Sequence, residues 1–185
     1  MVLLKVLRKT KAREKELRIL MLGLDAAGKT TFVRRLNGSE VDSVAPTLGF
    51  TIYPFSFQGF RLSVWDVGGQ RTIRAFWRHY FECTDGLIWV VDSADRDRMK
   101  TCKEELHRLL KEERLAGVPV LILANKQDVP SALSPEGIKE ALGLSDMSVS
   151  RHWAVIPCSA KNGTGLLEGI SWLVSDIANR VFIKL

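Results

Sequence analysis

Eight consecutive residues, Gly23-Leu-Asp-Ala-Ala-Gly28-Lys29-Thr30, constrain this chain more than any other stretch. They fit G-x-x-x-x-G-K-[ST] and lie between an apolar run, Leu17–Leu22, and a segment from Lys29 to Leu36 that reads as a helix. Glycine is needed where backbone N–H groups turn inward around a phosphate with no Cβ in the way. Lys29 brings a positive charge to the outer phosphates and Thr30 a hydroxyl to magnesium, while the helix N-terminus adds its partial positive charge. A plain strand-to-helix turn with an incidental lysine is the competing reading, and the flanking strand and helix speak against it. The motif implies a nucleoside triphosphate and leaves the base open.

The rest of the pattern supplies the sheet such a loop requires. Residues 49–57 and 60–66 alternate as two strands joined at Gln58-Gly59, a hairpin signal. Buried-strand runs follow at Leu87–Val91 and Val118–Ala124, and a last strand at Trp153–Pro157. Between them lie helical stretches at Met99–Leu115, Pro135–Leu142 and Leu166–Phe182; the first carries Met99, Cys102, Leu106, Leu109 and Leu110 on one face. Continuous apolar strands alternating with amphipathic helices predict an α/β fold, a mainly parallel sheet covered on both faces. Ligands bind such sheets beyond the carboxyl ends of the strands. At 185 residues the chain suits one domain. No apolar run approaches the roughly 18 residues of a membrane span. Cys83, Cys102 and Cys158 read as reduced core thiols of a cytoplasmic protein.

The net charge of +6 resembles a nucleic-acid signal only until it is located. Lys5, Arg8, Lys9, Lys11, Arg13, Lys15 and Arg18 face only Glu14 and Glu16 within the first 18 residues, which hold five of the six net charges. A nucleic-acid-binding face is therefore not expected. Residues 1–16 read as a basic amphipathic arm and 17–185 as the domain. Val2, Leu3, Leu4, Val6 and Leu7 supply the apolar side of a short helix for a groove, a partner or an anionic membrane. Residue 2 is valine, so the N-myristoylation pattern is absent and at most weak membrane association is expected.

Four further segments fall at strand ends. In Asp66-Val-Gly68-Gly69-Gln70 the carboxylate can hold magnesium through water, the Gly69 N–H can reach a γ-phosphate, and the Gln70 amide can orient an attacking water. A Gly-Gly turn capped by aspartate is the plain alternative. In Asn125-Lys126-Gln127-Asp128 the Asp128 carboxylate can accept the ring N–H and exocyclic amine of guanine, a donor pair that adenine lacks. Asn125 would tie the loop together and Lys126 would pack along the base. Backbone N–H groups of Cys158, Ser159 and Ala160 could meet the guanine oxygen, although an ordinary loop fits that segment alone equally well. Thr47 after Pro46 could add a second hydroxyl to magnesium if its loop folds over the phosphates.

The set Gly23–Thr31, Thr47-Leu-Gly-Phe50, Trp65-Asp-Val-Gly-Gly-Gln70, Asn125–Asp128 and Cys158–Ala160 resembles the ADP-ribosylation-factor branch, with its factor-like members, of the Ras superfamily. The likeness implies a Ras-like six-stranded, mostly parallel P-loop sheet and a monomeric GTPase that cycles between GDP and GTP with Mg2+. It implies nucleotide contacts from Gly23, Leu24, Asp25, Ala26, Ala27, Gly28, Lys29, Thr30 and Thr31, together with Thr47, Gly69, Asn125, Lys126, Asp128, Cys158, Ser159 and Ala160. Metal contacts would come from Thr30, Thr47 and Asp66, with Gln70, Lys29 and Gly69 in catalysis and Phe50, Trp65 and Tyr80 in effector contact. Asp25 stands where Ras-type enzymes have glycine and would add negative charge beside the phosphates. No arginine finger is marked, so slow intrinsic hydrolysis is expected, speeded by a GTPase-activating protein. The likeness also implies an exchange factor, tubulin-folding cofactors and carriers of lipidated proteins as partners, and a link to the cytoskeleton or centrosome. A trafficking regulator of vesicle coats, and a GTP-dependent binding module with negligible hydrolysis, are the alternative readings.

Overall fold

The structure is a computed structural model and describes residues 15–146 and 151–181. Residues 1–14, and with them most of the expected amphipathic arm, lie outside the described residues, as does Phe182. The strands are β1 (Glu16–Leu22), β2 (Phe50–Phe57), β3 (Phe60–Val67), β4 (Gly86–Asp92), β5 (Val120–Asn125) and β6 (Trp153–Pro157). The helices are α1 (Lys29–Leu36), a single turn α2 (Arg71–Arg74), α3 (Met99–Leu110), α4 (Pro135–Leu142) and α5 (Leu166–Val181). The strands form one six-stranded sheet in the order β2-β3-β1-β4-β5-β6. Only the β2–β3 hairpin is antiparallel. This is the mainly parallel sheet that the alternation of apolar strands and amphipathic helices predicts, with the six strands that the resemblance implies.

Strands β4 and β5 are buried because helices cover both faces. On one face Leu106 and Leu109 of α3 and Ile138 and Leu142 of α4 pack over Leu87, Trp89, Val91 and Ile122. On the other, Phe32 of α1 and Ile170, Leu173 and Ile177 of α5 cover Ile19, Met21, Ile88, Val90 and Leu121. β2 is the exposed edge and carries Pro54, which cannot donate to a second neighbour. The hairpin turns at Gln58 and Gly59, both with positive φ (50° and 78°), the geometry of a two-residue turn that follows the sheet twist.

Three expectations shift. The helix from Met99 stops at Leu110: Glu112 adopts an extended backbone, and a separate 3-10 turn, Glu113–Leu115, returns fully buried Leu115 to the core. The apolar period therefore outlasts the helix. β5 begins at Val120 instead of Val118, because Pro119 has no N–H for the ladder. Of the cysteines, Cys102 and Cys158 are buried as expected, while Cys83 is exposed in the turn before β4, with φ 61°.

Parallel register brings the functional loops to one edge. Met21 lies opposite Asp66, Leu22 opposite Trp89, Asp92 opposite Asn125 and Ala124 opposite Pro157. The segments that follow β1, β3, β5 and β6 therefore meet at the carboxyl end of the sheet.

Candidate nucleotide site

The loop after β1 is shaped by its two glycines. A Cβ at Gly23 would lie 2.3 Å from the Val90 carbonyl oxygen, and one at Gly28 would lie 2.3 Å from Asn125 Nδ2. Ala26 also takes positive φ (60°), a conformation that L side chains rarely hold. Lys29 folds back over the loop, and its Nζ donates to the carbonyls of Gly23 (2.9 Å) and Leu24 (2.8 Å). Burial lowers the Lys29 pKa to about 8, against the opposing pull of Asp66 and Asp25.

Three oxygens converge at the start of α1. Thr30 Oγ1 donates to Asp66 Oδ2 at 2.6 Å and lies 2.8 Å from Thr47 Oγ1, which lies 3.4 Å from the same carboxylate oxygen. Asp66 is fully buried, and its Oδ1 has no hydrogen-bond partner. Burial raises its pKa, against the Thr30 hydrogen bond and the Lys29 charge. A buried carboxylate with one orphaned oxygen, faced by two hydroxyls, is the all-oxygen donor set that suits a hard divalent cation. Among the described residues no group of three His, Cys, Asp or Glu side chains could hold a metal; this set combines one carboxylate with hydroxyls.

Two turns close over this corner. Gly68 N–H donates to the Gly49 carbonyl at 2.9 Å, and Trp77 Nε1 to the Gly68 carbonyl at 2.9 Å. A Cβ on Gly69 would lie 2.4 Å from Asp25 N and from the Gly23 oxygen, so only glycine allows this approach. The cleft beneath holds about 390 Å³. Ala26, Gly28, Lys29, Thr30, Thr31, Thr47, Gly69, Gln70 and Lys126 line it, as do Asp25 and Gly68. Val44 and Ala45 also line it; neither belongs to a motif, and only their position before Pro46-Thr47 could have pointed to them.

Asp25 departs from the expectation. Its carboxylate meets Arg74 Nη2 at 3.3 Å and Arg98 Nη1 at 3.1 Å, so two guanidinium groups neutralise the charge expected beside the phosphates. Sequence reasoning named neither arginine, since neither belongs to a motif.

The far end is framed by Asn125, which is buried. Its Nδ2 donates to the Ala27 carbonyl at 2.8 Å, and its Oδ1 accepts the Ala160 N–H at 2.9 Å, joining three loops. Ser159 Oγ donates to Asp128 Oδ1 at 2.6 Å, and Lys126 Nζ pairs with Asp92 at 2.6 Å. The N–H groups of Cys158 and Ser159 serve the carbonyls of Ala124 and Thr164. All three N–H groups expected to face a base oxygen are thus engaged within the protein. They brace the wall of the site in this arrangement.

Phe50, Trp65 and Tyr80 form one cluster on the hairpin side. Phe50 stacks on Trp65 with centroids 5.2 Å apart, Tyr80 packs 5.2 Å from Phe50, and the Arg18 guanidinium lies 3.9 Å over the Trp65 ring. Phe50 is 44% exposed, and neighbouring Leu48 is 82% exposed. An aromatic cluster on an open apolar face is the kind of surface that anchors a protein partner.

The ADP-ribosylation factor family model matches residues 3–177. ADP-ribosylation factor-like protein 2 of Arabidopsis thaliana is 57% identical over 183 residues, covering 99% of each chain. Its namesake in Drosophila melanogaster is 54% identical, covering 97% of each. Among solved structures, the Arl6 (BBS3) small GTPase of Trypanosoma brucei, with a bound nucleotide analogue GppNp, superposes with a TM-score of 0.82 at 30% identity. That match covers 89% of this chain and 98% of the other.

Proposed function

The chain belongs to the ADP-ribosylation factor family, and we propose that it is a magnesium-dependent GTP switch that hydrolyses GTP slowly and recruits effectors while GTP is bound. The observation that carries this reading is the convergence of Thr30, Thr47 and Asp66, with its orphaned oxygen, beneath the closed turns at Gly49 and Gly69. Magnesium, when bound, neutralises charge building on the β- and γ-phosphate oxygens. Thr30 and Thr47 offer it hydroxyls, and Asp66 offers its carboxylate through water. Lys29 leaves the loop carbonyls for the phosphates, where its charge is recovered. Gly69 gives its N–H to the γ-phosphate, and Gln70, at the cleft, orients the attacking water.

Asp128 selects guanine by accepting its paired donors, while Lys126 lines the base. Hydrolysis is slow because no arginine finger is marked in the sequence, and Arg74 and Arg98, the arginines at the phosphate loop, are engaged with protein acceptors. An arginine supplied by a partner is worth about 10³–10⁵ in rate. Loss of the γ-phosphate frees Thr47 and Gly69 and relaxes both turns. The Phe50–Trp65–Tyr80 cluster, whose Phe50 directly follows Gly49, reads the change.

Within the family, the likeness to relatives named ADP-ribosylation factor-like protein 2 is in keeping with a role in tubulin folding and in the release of lipidated cargo. We place that role in the cytoplasm and at the cytoskeleton or centrosome as part of the same proposal. The test is affinity capture with Gln70→Leu, which holds GTP, against Thr30→Asn, which favours GDP. Retention of lipid carriers by the GTP-held form alone, with a tubulin cofactor on either form, is expected. Retention of coat or tethering proteins on membranes would overturn the branch and leave the GTPase. Single-turnover hydrolysis that is fast in the isolated protein would overturn the slow-switch reading.

A further inference from the structure

Arg74 stands at a crossing that the nucleotide motifs do not explain. Its side chain is 11% exposed and meets three acceptors from three parts of the chain. Nε donates to the Gly69 carbonyl at 2.9 Å, Nη2 meets Asp25 Oδ1 at 3.3 Å, and Nη1 meets Glu105 Oε1 of α3 at 3.4 Å. Asp25 is itself held from the other side by Arg98, whose Nε pairs with Asp95 at 2.6 Å. The guanidinium is thus a planar fork with its donors committed in three directions, a task that the point charge of a lysine performs poorly.

The Gly69 carbonyl is the informative acceptor. It belongs to the same planar peptide unit as the Gln70 N–H, so holding the oxygen fixes the direction in which the chain enters Gln70. Gln70 also caps α2, its carbonyl accepting the N–H groups of Ile73 (2.9 Å) and Arg74 (3.2 Å). Meanwhile Gly69 lies against the phosphate loop so closely that a Cβ would collide with it. Arg74 spans that very junction, joining Gly69 to Asp25, and Glu105 anchors it to a rigid helix.

We infer that Arg74 is a positioning residue for hydrolysis, tying the Gly69–Gln70 peptide to Asp25 and Glu105 so that Gln70 is aimed only when the turn is closed on the phosphate loop. Reaching a phosphate would mean leaving three acceptors, so it is no internal substitute for a partner's arginine. Opening of the turn would break the Gly69 and Asp25 contacts together. The inference rests on the assignment of Gln70 to the hydrolytic water.

The experiment is single-turnover GTP hydrolysis with magnesium, beside the affinities for GDP and a non-hydrolysable GTP analogue, in Arg74→Gln, Arg74→Lys, Asp25→Asn and Gln70→Leu. Misplacing Gln70 slows hydrolysis about tenfold in Arg74→Gln, with GDP affinity and melting temperature held. Arg74→Lys recovers part of the rate, and Asp25→Asn added to Arg74→Gln brings little further loss, since both cut one link. Hydrolysis within twofold of the parent overturns the inference; so does a joint fall of GDP affinity and melting temperature, the mark of a merely structural residue. Should Arg74→Gln fail to fold, Arg74→Lys and Asp25→Asn carry the same test. Normal hydrolysis by Gln70→Leu removes the Gln70 assignment itself, whereas a slow Gln70→Leu beside unaffected Arg74 variants removes only the role of Arg74.

Discussion

The two ends of the nucleotide cleft are built on different plans. At the guanine end, Asn125 is buried and bonds two neighbouring loops, Ser159 braces Asp128, and the N–H groups of residues 158–160 are all satisfied within the protein. That end is held by the protein's own hydrogen bonds. At the γ-phosphate end, the segment around Thr47 and Leu48 is largely exposed. It is tied down by Thr47 to Thr30 and by Gly49 to Gly68, beside the places where a cation and phosphate would sit. Asp66 keeps an unpaired buried oxygen there. One end borrows the stability of the core, and the other is held by a few contacts of an exposed segment. A switch needs this division, since base identity must be read in both states while only the phosphate side moves.

The sharpest way to break the comparison is Asp128→Asn. Guanine offers two donors to a carboxylate, and an amide cannot accept both without presenting a donor of its own. Guanine-nucleotide affinity should fall by at least about a hundredfold, while xanthine nucleotides, which carry a carbonyl in place of the amine, gain. Competition against fluorescent GDP measures both. Equal loss of guanine and xanthine nucleotides would mean that the guanine end had collapsed instead of changing its preference.

A pair of glycines tests the division more finely. At Gly165, beside the guanine end, a Cβ would lie 2.1 Å from the Pro157 carbonyl oxygen, with φ at +74°. Gly165→Ala should therefore strain the fold beside the Ser159–Thr164 bridge by about 1–3 kcal/mol, lowering the melting temperature by several degrees. At Gly69 the collision is with the phosphate loop, in the closed turn. Gly69→Ala should weaken binding of a GTP analogue about tenfold, with GDP affinity and melting temperature near those of the parent. If both substitutions lower the melting temperature alike, the γ-phosphate end is no less a part of the core than the guanine end.

The same contrast governs what the sequence makes legible. β4, β5 and the faces of α3 and α4 are apolar runs or stripes whose period betrays their partners, so the sheet and its core can be read directly. The phosphate loop and Asn125–Asp128 are legible because each chemical task demands particular residue types at fixed spacing. The region after Gln70 is not. Arg71-Thr-Ile-Arg74 has no apolar period, and α2 is a single turn held by its contacts with Gln70, Asp25 and Glu105. The charge of Asp25 likewise reads as exposed to the phosphates until Arg74 and Arg98, 49 and 73 residues away, are folded onto it. Contacts at such separation leave no local signal.

The smallest effect concerns Lys29, which belongs to both ends through the loop they share. Burial lowers its pKa from 10.5 to about 8 in the free protein. Because the unfolded chain keeps its proton up to the ordinary value, the unfolded state binds more protons between those limits. The stability of the free protein therefore rises with pH across that window. Nucleotide binding has the opposite sign. Phosphate oxygens restore the ammonium, so above pH 8 binding takes up a proton and affinity falls as pH rises, by up to about tenfold between pH 7 and 9. GDP affinity across that range, compared with Lys29→Met, isolates this proton, because both proteins share the titration of guanine itself. Guanosine, which reaches only the guanine end, should bind with the same pH profile in the two proteins. Parallel GDP profiles for parent and variant would mean that Lys29 takes up no proton on binding. A guanosine profile altered by the variant would mean that the two ends are not separable.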